Sequence, residues 1–258
     1  MSIVFEDYFW ILMATSFVTA VVSASIGFLG GTILLSVMAQ FLSPMVLIPV
    51  HGLVQLWSNA TRAAFLTQNI QWRIVSLYGF GTLAGALLAS QYVLKIPESY
   101  YNIGLGVLIL VLTLSPKEFW SKPFQNQNSK WLRYFDKWWL TGFVSSFLGL
   151  FIGAVGVLVG AVFMTEKNLD KKMMVASQAA CQTLVHFAKV VVFVYLGFQV
   201  GPWMGLLFGL ILTTLAGSYV GTRILDRIPQ ALFLKIFKGL IVILSLRLVF
   251  LGLNHFMG

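Results

Sequence analysis

The chain lacks most of what a soluble enzyme is built from. One cysteine, Cys181, stands in 258 residues, so neither a disulfide framework nor a thiolate metal site can form. There are only 8 acids: Glu6, Asp7, Glu98, Glu118, Asp136, Glu166, Asp170 and Asp226. Each lies in or beside a polar break, never in the middle of an apolar run. Proton and cation relays in membranes rely on buried carboxylates, and so do acid–base and metal-assisted hydrolysis. Those chemistries are disfavoured. No Gly-x-Ser-x-Gly elbow occurs, which removes the usual sign of a serine hydrolase. Charged residues make up 10% of the chain, against roughly 25% in a soluble domain.

Apolar residues fill that space. They make up 59% of the chain, with a mean hydropathy of +0.88. A membrane span takes about 20 apolar residues, and the apolar segments read as 8–41, 45–66, 73–93, 99–115, 138–165, 173–197, 202–222 and 231–252. The long polar stretch, 116–137, holds two prolines and five Lys/Arg. It divides the chain into a first membrane repeat (1–115), a linker (116–137) and a second membrane repeat (138–258). Met1 to Asp7 contains two acids and no basic residue, unlike the start of a secretory signal. The net charge of +9 sits mostly in the loops, as membrane orientation requires, so no nucleic-acid partner is expected.

The two parts resemble each other. Thr15-Ser-Phe-Val-Thr-Ala aligns with Thr141-Gly-Phe-Val-Ser-Ser at an offset of 126, which sets Gly27 and Gly30 on Gly153 and Gly156. At 127, Val54-Gln-Leu falls on Cys181-Gln-Thr, Asn59 on His186 and Arg62 on Lys189. At 132, Thr82-Leu-Ala-Gly85 falls on Thr214-Leu-Ala-Gly217, and Ile96-Pro97 on Ile228-Pro229. Matches in one order, drifting only at loops, indicate duplication.

The first segment of each repeat is too long for one crossing. Residues 8–41 carry no charge and as a single helix would run about 50 Å at 1.5 Å per residue, against a hydrocarbon core of about 30 Å. Both segments contain glycine clusters: Gly27, Gly30, Gly31 and Gly153, Gly156, Gly160. Broken helices survive in lipid only where protein or a wet cavity satisfies the freed backbone. Each is therefore expected to be a bent hairpin that returns to the side it entered from.

Basic residues support this. With Arg62 and Lys189 set aside as intramembrane, 15 of the 17 Lys/Arg remain. Eight simple crossings divide them eight to seven. Two hairpins with the N-terminus outside place thirteen inside (Arg73, Lys117, Lys122, Lys130, Arg133, Lys137, Lys167, Lys171, Lys172, Arg223, Arg227, Lys235, Lys238) and only Lys95 and Arg247 outside. The positive-inside bias favours the second arrangement, with a cytoplasmic linker. Each repeat then crosses an odd number of times, so the second is inverted relative to the first. The expected fold is an all-α polytopic membrane protein of two inverted-topology repeats, each a glycine-broken hairpin plus three transmembrane helices. Secondary transporters share this plan, with their site near the midplane where the repeats meet. Small-residue stripes at Gly81, Gly85, Ala89 and at Thr213, Gly217, Gly221 read as close helix packing.

The ionisable side chains within apolar runs are basic or neutral: His51, Arg62, His186 and Lys189. Gln55, Asn59 and Arg62 share one helical face at i, i+4, i+7, and Gln182, His186 and Lys189 repeat that spacing. Amides and cations donate hydrogen bonds, as an oxyanion requires. Snorkelling of Arg62 to the interface and polar glue between helices are the bland alternatives. Half-helix N-termini at Gly27, Gly30 and Gly31 and at Gly153 and Gly156 would aim free N–H groups at an anion, or simply form tight bends. Ser23, Ser25 and Thr32 are candidate hydroxyl donors. Cys181 reads as inert packing and His51 as structural, two residues after Pro49.

The chain resembles the sulfite exporter TauE/SafE family of membrane permeases over almost its whole length. The resemblance rests on the glycine-rich first segments (Ile26-Gly-Phe-Leu-Gly-Gly-Thr; Ile152-Gly-Ala-Val-Gly), the polar second segments, and Asn69-Ile-Gln-Trp-Arg73 before the third. It implies a multi-pass protein of the cell inner membrane that moves small sulfur-containing anions such as sulfite, sulfoacetate or thiosulfate. No enzyme activity and no cofactor are expected; the partners are a small anion and membrane lipid. An exporter is the expected direction. The rival readings are a proton-linked carrier of another solute that uses His51 or His186, and a non-transporting assembly protein.

Overall fold

The computed structural model describes residues 8–26, 30–93, 98–115, 136–153, 155–166, 168–224, 239, 241–247, 249, 250 and 253. Every regular element among them is helical. In chain order they are α1 (Tyr8–Ile26), α2 (Gly30–Met38), α3 (Pro44–Phe65), α4 (Trp72–Ser90), α5 (Glu98–Leu114), α6 (Lys137–Ile152), α7 (Gly156–Phe163), α8 (Lys171–Tyr195) and α9 (Met204–Arg223). Residues 241–247 continue the helical pattern. The linker between 116 and 135 and the junction at Gly27 lie outside the described residues.

Local chemistry sets the boundaries. Pro44 opens α3, where its fixed φ suits a first turn and its missing N–H costs nothing. Asp136 caps α6 by accepting from the Trp138 N–H at 2.8 Å, and Asp170 caps α8 by accepting from the Met173 N–H at 2.8 Å. Gly153 closes α6 at φ +86, a left-handed conformation that costs glycine little. Among the described residues, three helices are long and apolar enough to cross a membrane: Trp72–Ser90, Lys171–Tyr195 and Gly201–Arg223. At 22 residues α3 has the length, but His51, Gln55, Asn59 and Arg62 make it too polar to stand among them.

Each long first segment is two helices that fold back. Tyr8, at the start of α1, stacks on Phe41, just past α2, with ring centroids 5.4 Å apart. Lys137, at the start of α6, forms an ion pair with Glu166, just past α7. The two ends of each broken segment thus meet. Gly30 allows this closeness in the first: a Cβ there would collide with the Thr19 carbonyl and the Ser23 hydroxyl.

Packing between the helices is crossed. The first helix of each sequence repeat lies on the third-segment helix of the other, α1 on α9 and α6 on α4, while α3 packs on α8. The match extends to single residues. Gly85 of α4 sits against the Phe143 carbonyl of α6, and Gly217 of α9 sits against the Phe17 carbonyl of α1. The sequence offsets of 132 and 126 relate these same pairs, Gly85 to Gly217 and Phe17 to Phe143. Side chains at the glycines would force the backbones apart, as in other close helix pairs in lipid.

Candidate functional site

The polar faces of α3 and α8 turn towards each other. Gln55, Asn59 and Arg62 from α3 and Gln182 and His186 from α8 line one cavity, joined by His51, Gln178, Ser23, Thr32, Gly31, Val155 and Gly156. The cavity measures about 20 Å³, and 10–15 Å³ is what one water needs. No Asp or Glu is among the described residues that line it. The His51 and His186 rings meet edge to face across the helix pair, with centroids 5.8 Å apart.

Arg62 belongs to the last turn of α3, where a snorkelling side chain would reach for headgroups. Instead it is 2% exposed. One Nη donates to the Asn59 side-chain oxygen. Asn59 in turn donates to the Gln55 carbonyl at 2.7 Å and to the Gln55 side-chain oxygen at 3.3 Å, so the i, i+4, i+7 face is a connected chain. Among the described residues, Arg62 Nε and Nη1 have no partner, and neither do Gln182 Nε2 or Thr32 Oγ1. Buried guanidinium donors without partners are costly.

Lys189 is fully buried but does not line the cavity. Its Nζ donates to the Gly153 carbonyl at 2.5 Å and lies 3.3 Å from His186 Nδ1. Gly52 on α3 gives its stem room: a Cβ there would come within 2.9 Å of Lys189 Cδ. The two repeat-related cations therefore differ. Arg62 presents free donors to the cavity, while Lys189 ties down the carbonyl at the α6 break.

The glycine positions also separate. Gly31 and Gly156 line the cavity, and their carbonyls accept from His51 Nε2 at 2.9 Å and Gln178 Nε2 at 3.1 Å. A Cβ at Gly31 would press within 3.2 Å of the Gln55 side-chain oxygen. Gly30 serves the α1–α2 contact and Gly153 the helix end, and neither borders the cavity. Gly27 lies outside the described residues. His51, expected to be structural or a proton switch in a rival carrier, and Gln178, not singled out in the sequence, also line the cavity. The 127 offset relates one to the other, so their likeness was present in the sequence. Cys181 is buried and packs with Tyr78 and Phe163 in an apolar cluster.

A helical chain with membrane-length apolar helices, whose buried cations meet amides and imidazoles rather than carboxylates, is of the polytopic membrane transporter class. The chain belongs to the sulfite exporter TauE/SafE family, whose family model matches residues 12–248. No curated protein and no solved structure matches it.

Proposed function

We propose that the protein carries small sulfur-containing oxyanions, such as sulfite, sulfoacetate or thiosulfate, out across the cell inner membrane through the cavity between α3 and α8. One observation carries the reading: the Arg62 guanidinium is buried with Nε and Nη1 unpartnered in a cavity whose lining holds no acid. An oxyanion supplies the missing acceptors and the missing negative charge. Arg62, Asn59, Gln55, Gln182 and His186 act as the anion's donors or hold them in line. Gly31 and Gly156 border it through backbone, and Gly27 is counted with them by its place in the glycine cluster of the sequence. Lys189, Gly30 and Gly153 form the frame, with Lys189 adding a second positive charge nearby.

The reading extends to topology. Residues 1–115 and 138–258 are two inverted repeats joined by a cytoplasmic linker, with the N-terminus outside. Support comes from the hairpin ends that meet at Tyr8–Phe41 and Lys137–Glu166, and from the exchanged contacts of Gly85 and Gly217. An inside-negative potential drives an anion outwards by about 2.3 kcal/mol per charge per 100 mV, so export needs no coupling carboxylate. The cavity holds about one water-sized group in this arrangement. Alternating access then requires α2 and α7 to part from the α3–α8 pair to admit the anion. No bond is made or broken in the cycle.

The test is sulfite efflux from proteoliposomes. Arg62→Gln is expected to lower the flux on the order of 100-fold, the loss of two charge-assisted hydrogen bonds, while the purified variant keeps its thermal unfolding temperature. Undiminished flux in that variant overturns the site.

A further inference from the structure

The cavity contains an acceptor among its donors. His51 Nε2 lies 2.9 Å from the Gly31 carbonyl. A carbonyl can only accept, so Nε2 carries the proton. In the neutral ring Nδ1 is then a bare lone pair, and it is buried with no partner. It is the one polar atom that His51 has left to offer the cavity it lines. Arg62 Nε and Nη1 and Gln182 Nε2 can only donate. A fully ionised oxyanion satisfies those donors but sets a negative oxygen against the Nδ1 lone pair.

We infer that the site takes its oxyanion together with one proton, held between the anion and His51 Nδ1. This rests on the oxyanion reading above and adds the proton to it. Two forms satisfy the geometry. The acid monoanion, hydrogen sulfite for instance, donates its O–H to Nδ1. Alternatively the dianion binds while His51 takes a proton from the bulk, and the imidazolium Nδ1–H donates to it. Both load one anion and one proton, and one negative charge fewer crosses the membrane with a dianionic substrate.

The groups around His51 can be named. From α8 come His186, in ring contact, and Lys189. From α3 itself comes Arg62, which shares the cavity lining. The Gly31 carbonyl at the start of α2 and the Gly153 carbonyl at the end of α6 are its backbone neighbours. Ser23 of α1, Gly156 at the start of α7 and Val155 just before it, which also line the cavity, have no titratable side chain. No carboxylate stands in the lining to take the proton instead.

The second repeat supplies the control. Gln178, offset from His51 by 127, donates Nε2 to the Gly156 carbonyl as His51 donates to Gly31. His51→Gln therefore keeps a donor for Gly31 and removes the nitrogen that titrates. Sulfite binding to the purified full-length protein is measured by calorimetry at alkaline pH, where sulfite is a dianion, in buffers of different ionisation enthalpy. The wild type is expected to take up about one proton per sulfite bound, with affinity falling roughly tenfold per pH unit. His51→Gln leaves its Oε1, an acceptor that cannot titrate, in place of Nδ1. It is expected to keep proton uptake where the acid monoanion is the bound form and to lose it where the imidazolium is. His51→Phe offers no acceptor, and whatever sulfite it binds is expected to come with little proton uptake and a flat pH profile. Wild-type binding without proton uptake overturns the inference and leaves the anion site standing. Full uptake in His51→Phe removes His51 from the role. Absence of sulfite binding at every pH overturns the anion site as well.

Discussion

The helices α3 and α8 carry matching polar residues at matching spacing, yet they use them differently. On α3 the cation at the end of the face, Arg62, is relayed through Asn59 and Gln55 and keeps two donors free. On α8 the corresponding Lys189 is drawn out of the cavity lining to the Gly153 carbonyl. At the other end of each face the roles converge. His51 and Gln178 each hold a carbonyl at the start of the half-helix in their own repeat, Gly31 of α2 and Gly156 of α7. The contacts at the broken helices are thus alike in the two sequence-matched stretches, while the charged groups differ. A point charge with three rotatable donors suits the capping of a lone carbonyl, while a planar fork suits an oxyanion.

If the repeats are built on the same close contacts, breaking either should cost about the same. Gly85→Leu and Gly217→Leu set a side chain against the carbonyls of Phe143 and Phe17. Each is expected to destabilise the protein by about 3 kcal/mol or more, the upper range for overpacking and beyond it for a clash with backbone. Thermal unfolding in detergent reads both. A large drop for one and none for the other would show that the exchanged packing is not equivalent.

The cations should separate in the opposite sense. Lys189→Met leaves the Gly153 carbonyl without its donor, a loss of about 1–3 kcal/mol for an orphaned buried acceptor. Its unfolding temperature is expected to fall more than that of Arg62→Gln. Its sulfite affinity, measured by calorimetry on the fraction that remains folded, is expected to fall less. Equal losses of affinity in the two variants would make Lys189 a direct ligand and erase the distinction between the helices.

Much of this was legible in the residues. The described helices and the i, i+4, i+7 faces follow from apolar runs and periodicity, because a helix fixes which residues share a side. That α1–α2 and α6–α7 are broken follows from length against bilayer thickness. What periodicity cannot give is the rotation of one helix against its neighbour. Whether Lys189 points into the cavity or past Gly52 to Gly153 depends on a stem of four carbons finding room on α3. The glycines were expected to offer N–H groups; at Gly31 and Gly156 the carbonyls are the groups that lining side chains hold. His51, expected to be structural, lines the cavity as well as holding Gly31.

The smallest difference lies at the mouths of the two hairpins. The first is closed by the Tyr8–Phe41 stack, the second by the Lys137–Glu166 pair. The stack is non-ionic, and an aromatic pair contributes about 0.5–1.5 kcal/mol beyond its burial. The ion pair is partly solvated, with side chains 29% and 22% exposed, so its contribution is at most about 1 kcal/mol and is screened by salt. Glu166→Gln is therefore expected to lower the unfolding temperature slightly at low ionic strength and not at all at high. Tyr8→Leu should give a shift that salt does not change. Opening of the second hairpin alone should respond to ionic strength, which hydrogen exchange at the ends of α6 and α7 against those of α1 and α2 can read. Equal salt sensitivity at both mouths would mean that the ion pair does not hold α6 and α7 together.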